Sequence, residues 1–304
     1  MNKKLCFIWD FPLEPLDIHG WADGLSMALK YLAGKYDIDV YPIATDNTTE
    51  IYDRINVIDP DLILCWGSLD RPSFGAIKQF DKPTALCFAG GPTEHGNRDN
   101  FDVIFVENDE YAELFKKDGY DVKKAFGVND ILFSPTINLQ PHFKAIYPAS
   151  FVPWKRHDIF AKALGNKGLA VGGMNQGSRE SLDMCLEHGV MVLPKVPYEV
   201  LPFMISQSQA VVITANNQGG SQRTVLEAMA MNKPVVVMSD NTKCVEYVKE
   251  SGIGIIAEPD SISILKALDN LKHSGFLRGQ DFIKANYSAE RYADNLWKEL
   301  KKLL

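Results

Sequence analysis

The sequence predicts an α/β protein made of two doubly wound, parallel-sheet domains of the Rossmann kind. Three observations carry that expectation. Short β-rich runs alternate with longer amphipathic stretches along most of the 304 residues. The strand runs are almost continuously apolar, as in parallel sheets covered on both faces. The same grammar then restarts after a turn-rich interruption at residues 134–142, SPTINLQPH.

In the first half, strands are expected at residues 5–9, 39–44, 62–66, 84–88, 103–106 and 122–125. Helices are expected at 21–32, 49–55 and 110–117. The second half gives strands at 144–147, 169–171, 190–193, 210–214, 234–238 and 254–256. Its helices are expected at 156–164, 179–187, 199–206, 224–231, 242–249 and 261–272. The tail, residues 288–304, reads as a helix with Tyr292, Leu296, Leu300 and Leu303 on one face. The domains are therefore drawn as 1–140 and 141–286, with 287–304 a helix that packs back on the first. Two such sheets present the carboxyl ends of their strands to a central cleft, the usual binding position in these folds.

Composition narrows the function. A hydrophobic share of 46% and a charged share of 23% belong to a folded globular chain. No run of 18 apolar residues occurs, so no membrane span is expected. Asp10 cuts the first apolar run short, which predicts a buried strand rather than a signal-peptide core. The five cysteines are scattered and make no C-x-x-C pair, so they read as core thiols of a cytoplasmic protein. A net charge of −7 argues against broad nonspecific nucleic-acid binding.

The chemistry concentrates in residues 214–238, TANNQGGSQRTVLEAMAMNKPVVVM. An apolar strand ends, Gly219 and Gly220 follow, a helix begins, and a new strand opens. Glycines let the backbone approach a ligand, and the unpaired N–H groups of a helix start favour an anion such as a diphosphate. Arg223 adds charge-assisted hydrogen bonds if it faces that anion. Glu227, one turn into the helix, is placed to accept from paired ribose hydroxyls. Two plainer readings stand beside these. Thr224-Val-Leu-Glu227 fits a capping box, in which Glu227 serves only an orphan N–H, and Gly219-Gly220 fits an ordinary turn.

Residues 226–236, LEAMAMNKPVV, resemble the signature of the large retaining GT-B glycosyltransferase family (group 1, family 4-like), where a Glu-x7-Glu motif runs into "EAMA-x-G-x-PVV". The resemblance continues in order along most of the chain. Residues 101–108, FDVIFVEN, are similar to the strand ending the family's N-terminal domain, and 127–135, GVNDILFSP, to its linker segment. Residues 149–158, ASFVPWKRHD, resemble the stretch opening the second domain, and 193–202, LPKVPYEVLP, the nucleobase loop.

The resemblance implies a GT-B fold and transfer of a sugar, with retention, from a nucleotide diphosphate sugar to an acceptor hydroxyl. UDP is the expected carrier and the donor is a co-substrate, with no cofactor and no metal. It puts Glu227 on the donor ribose, Lys155 on the donor phosphates, and Lys195 and Val196 on the base through their main chain. The donor site then comprises Lys155, Lys195, Val196, Gly219, Gly220, Ser221, Arg223, Thr224, Val225 and Glu227, with Gly20 from the loop after the first strand. Two positions depart from the family pattern. Gly219 replaces the glutamate that contacts the donor sugar, and Ser150 replaces an arginine, for which Arg156 or Arg223 can compensate.

On the acceptor side, His19 lies beside Gly20, and Glu94 and His95 follow the fourth strand. These last two are placed either to assist the acceptor hydroxyl as a general base or to orient it; a polar Gly-Gly-Pro turn is the competing reading. Catalysis is then expected to rest on positioning and electrostatics, with Lys155 and the helix start activating the leaving phosphate. The acceptor is expected on a small molecule, a glycan or a modified DNA base. A nucleotide-sugar epimerase of the same fold and a non-catalytic nucleotide-sugar-binding protein are the alternatives.

Overall fold

The computed structural model describes residues 2–9, 23–91, 93–135, 140–174, 177–218 and 223–304. The chain divides into two compact units, one of Met1–Gly127 with Ala289–Leu304, the other of Val128–Ser288.

The first unit runs β1 (Lys3–Trp9), α1 (Gly24–Lys35), β2 (Ile38–Ala44), α2 (Thr48–Ile58), β3 (Leu62–Gly67), α3 (Phe74–Ile77), β4 (Thr84–Phe88), β5 (Val103–Val106), α4 (Asp109–Lys117) and β6 (Val122–Lys124). Its six strands lie in the order β2-β1-β3-β4-β5-β6, and every pairing is parallel. The period-2 alternation of strand side chains sorts β1 between two cores. Cys6 and Ile8 face Ile51, Ile55, Phe74 and Phe115. Leu5 and Phe7 face Leu25, Leu29 and Leu32 of α1. Both faces are covered, which is why the strands read as solid apolar runs.

The second unit holds β7 (Phe143–Pro148), α5 (His157–Leu164), β8 (Gly168–Val171), α6 (Arg179–Glu187), β9 (Met191–Leu193), α7 (Leu201–Ser206), β10 (Ser208–Ile213), α8 (Arg223–Ala230), β11 (Val235–Met238), α9 (Thr242–Ser251), β12 (Ile255–Ala257), α10 (Ser261–Asp269) and α11 (Gly279–Asn286). The strand order is β12-β11-β10-β7-β8-β9, again all parallel. Successive strands β7, β8 and β9 run outward one way, and β10, β11 and β12 the other. The reversal between β7 and β10 is the topological switch point, where doubly wound sheets bind their ligands.

The last helix, α12 (Ala289–Leu300), belongs to the first unit. Tyr292, Ala293, Leu296 and Leu300 enter the α1 side of its core. Lys35 reaches Glu290 at 2.9 Å and Asp294 at 2.8 Å, and Tyr36 stacks on Trp297 at 5.4 Å.

The division falls earlier than the turn-rich stretch expected to be the linker. Val128 bridges Ser288, and buried Phe133 packs edge-on against Tyr198 at 5.3 Å. Residues 128–135 therefore take their contacts from the second unit. All five cysteines are buried and none is in a disulfide. Among the described residues, no helix is long and apolar enough to cross a membrane.

Candidate functional site

The site at the switch point of the second unit is built by three loops, after β7, β10 and β11. Beyond β7 the chain continues in parallel alongside the β8 loop: Ala149 N donates to Val171 O at 2.9 Å and Phe151 N to Gly173 O at 3.0 Å. A single 3-10 turn, Pro153–Lys155, follows, and Arg156 then adopts a left-handed conformation (φ 50°, ψ 50°) before α5 begins. A non-glycine residue there costs about 1 kcal/mol. The Arg156 guanidinium offsets that cost, because it grips Asp240 bidentately at 2.6 and 2.8 Å and its Nε donates to Thr214 O at 2.6 Å.

Lys155 is half-buried, and its main chain is fixed from two sides. Its carbonyl accepts from Tyr147 Oη at 2.9 Å and from Thr214 Oγ1 at 2.8 Å. Trp154 O accepts from Asn216 N at 2.9 Å. Asn241, which caps α9, also donates to Ala215 O at 3.0 Å, and Lys243 Nζ donates to Asn217 O at 3.0 Å. The loops that carry Lys155 and lead toward α8 are therefore one hydrogen-bonded unit.

Among the described residues α8 already includes Arg223, so Thr224 lies inside the helix rather than at its cap. The capping-box reading of Glu227 fails on that geometry, since an N-cap residue must be non-helical. Glu227 is instead buried, at 1% exposure. Its Oε1 accepts from Tyr198 Oη and lies 3.3 Å from Arg223 Nε. The Arg223 guanidinium sits over the Tyr198 ring at 5.4 Å. Val225 is buried in the core, and Thr224 is half-buried. Lys195 is exposed and Val196 half-buried in the loop between β9 and the turn that carries Tyr198.

Arg156 was one of two candidates to replace the arginine missing at Ser150. Its guanidinium is spent on Asp240 and Thr214, which leaves Arg223. In the first unit, Glu94 and His95 are exposed beyond β4. His95 caps a short 3-10 helix, Gly96–Asn100, and its Nδ1 accepts from Asn97 N at 3.3 Å. His19, Gly20, Gly219, Gly220 and Ser221 lie outside the described residues.

Sequence reasoning missed Tyr198, Thr214, Asp240 and His157. His157 opens α5 directly after the Lys155 turn and is fully buried. It is stacked between Phe151 at 4.6 Å and Tyr147 at 4.7 Å; among the described residues neither ring nitrogen makes a well-formed hydrogen bond, and the Ala149 main chain opposes the downward shift only weakly. Burial, then the nearby Lys155 cation, push its pKa from 6.5 down to about 4. The folded state thus holds a neutral ring that the unfolded state protonates. The stability this represents is present above pH 6.5 and drains away as pH falls toward and through 4. Linkage puts the loss at about 2 kcal/mol between pH 7 and pH 5. Denaturant titrations at the two pH values should show it, and His157→Phe should remove most of it.

Residues 138–289, which are 152 of the 304, match the family described as Glycosyl transferases group 1. The chain belongs to that family. The match coincides closely with the second unit and contains the whole three-loop site. No curated protein matches the chain in sequence. Among solved structures, it is similar to sucrose-phosphate synthase from Thermosynechococcus elongatus, with a TM-score of 0.75 and 14% identity over 99% of each chain. It is also similar to HepE from Anabaena in complex with UDP-glucose, with a TM-score of 0.69 and 12% identity over 99% of this chain and 100% of that one. A UDP-N-acetylglucosamine 2-epimerase aligns at a TM-score of 0.62 and 14% identity, over 99% and 96%. The architecture is GT-B, with two Rossmann-like units.

Proposed function

We propose that this glycosyltransferase moves a sugar from a nucleoside diphosphate carrier, UDP, to an acceptor hydroxyl with retention of configuration and without a metal or other cofactor. The observation that carries the reading is the Lys155 turn. It is locked by its main chain to the end of β10 at the switch point, and its ammonium is the cation we assign to the diphosphate. The solved complex of Anabaena HepE with UDP-glucose supports the choice of carrier.

In this scheme Lys155 and Arg223 stabilise the charge that develops on the departing diphosphate, Glu227 holds the ribose, and the main chain at Lys195 and Val196 meets the base. The acceptor hydroxyl attacks from the face the diphosphate leaves, so no protein nucleophile is required. We assign the acceptor to the first unit, with Glu94 and His95 orienting its hydroxyl. A cytoplasmic setting fits the five buried thiols.

The test is release of nucleoside diphosphate from a panel of nucleotide sugars, with and without sugar, glycan and hydroxymethylated-DNA acceptors. Release that requires an acceptor is the expected result. Isomerised nucleotide sugar without transfer would make the protein an epimerase, and tight binding without turnover would make it a binding protein.

A further inference from the structure

The residues assigned to the donor meet its base, ribose and diphosphate, and leave the transferred sugar without a side chain of its own. Position 219 is a glycine and offers it none. The sugar is bonded directly to the diphosphate, so a group that meets it must stand close to the residue that meets the phosphates. Trp154 is the chain neighbour of Lys155, one Cα step of about 3.8 Å away.

The described tryptophans divide sharply by environment. Trp9 stacks on Trp66 at 4.5 Å and Trp297 on Tyr36 at 5.4 Å, and all three pack on the core of the first unit. Trp154 is 38% exposed. Among the described residues its ring has no aromatic neighbour and its indole N–H no hydrogen bond. Its main chain is nonetheless fixed. Trp154 O accepts from Asn216 N at 2.9 Å, and the turn is closed by Lys155 N on Val152 O and Arg156 N on Pro153 O, each at 3.0 Å. An indole carried on such a turn is a flat contact surface with only two side-chain torsions left to order on binding.

We infer that Trp154 is the platform for the transferred sugar, and that this sugar is a pyranose whose ring lays a face of C–H groups on the indole. The chemistry separates the two ligand parts near Lys155. The face of an aromatic ring is negative and attracts weakly positive C–H groups, whereas an anionic diphosphate gains nothing from it. The inference rests on the nucleotide-sugar reading above and adds the sugar's subsite to it. Trp154 then determines which sugar is held, and contributes nothing to the nucleotide.

The test compares a nucleotide with and without its sugar. Affinities of the full-length chain for UDP and for UDP-glucose, UDP-galactose and UDP-N-acetylglucosamine are measured by calorimetry, and the tightest sugar nucleotide is carried forward. Trp154→Ala is expected to weaken that ligand about fivefold or more while UDP changes by less than about twofold. Trp154→Phe, which keeps an aromatic face, should retain most of the sugar's increment, and Trp154→Leu, which keeps only apolar bulk, should lose it. The phenylalanine and leucine variants carry the test if the alanine variant does not fold. Equal losses for UDP and the sugar nucleotide, an unchanged increment in all three variants, or a wild-type chain that binds UDP as tightly as every sugar nucleotide would overturn the platform and leave the donor site standing. Failure of the wild-type chain to bind UDP at all would sink the donor reading, and the platform with it.

Discussion

Lys155→Ala is expected to lower kcat/KM for the nucleotide sugar by about 10²-fold or more, with the melting temperature changed by no more than about 2 °C. The two halves of that expectation come from different atoms of one residue. The carbonyl of Lys155 receives Tyr147 Oη and Thr214 Oγ1, and its N–H donates to Val152 O at 3.0 Å. Alanine keeps all three bonds, so the turn persists. What is lost is the ammonium, the charge that the proposed function sets against the departing diphosphate. Such a charge is worth most where a phosphate departs and little in the folded ground state. Steady-state kinetics with a saturating acceptor, set beside a melting curve, checks both halves. A second readout is built in. The Lys155 cation helps to hold His157 neutral, so the variant should lose less stability than the wild type between pH 7 and pH 5. A variant that melts early and loses activity in proportion would place Lys155 in the framework rather than in the chemistry.

How far the sequence reaches depends on the range of the interaction. Strands such as β4 and β5 were readable residue by residue, because burial on both faces leaves an unbroken apolar run. The final helix was readable because Tyr292, Leu296 and Leu300 recur every four residues and must meet a core. By contrast, α11 opens with Gly279, a poor helix former chosen for close approach. A Cβ there would lie 2.2 Å from Met229 O, a constraint no local pattern displays.

The same limit governs the site. Lys155, Arg223 and Glu227 stand in stretches whose composition announces a ligand loop. Tyr198 becomes the partner of Glu227 across 29 positions of sequence, and Asp240 the partner of Arg156 across 84; only the sheet order brings them together. The domain division was misplaced for a related reason. The turn-formers at 134–142 are a local signal, whereas the Val128–Ser288 bridge that draws the preceding residues into the second unit is not.

Gly172→Ala is expected to cost the second unit at least about 3 kcal/mol and to reduce soluble, donor-binding protein sharply. The added methyl would lie 1.8 Å from Ala149 O and 2.5 Å from Ala149 C, with Ser150 N at 3.0 Å. Every one of those atoms is backbone, so no side-chain rotation relieves the contact. The chain beyond β7 must move as a body, yet it is pinned at both ends, by Ala149 N on Val171 O and by Asn216 N on Trp154 O. Displacing it breaks that ladder or tilts the Lys155 turn away from β10. Stability and donor affinity should therefore fall together, unlike the split expected for Lys155→Ala. Gly34→Ala is the matched control: it lies on α1 with nothing within 4 Å of the added methyl, and helix propensity alone should stabilise it by up to about 1 kcal/mol. Denaturant unfolding of the three proteins distinguishes the cases. Should Gly172→Ala unfold at the wild-type midpoint with UDP affinity intact, the close apposition of the β7 and β8 loops would not be what aims Lys155.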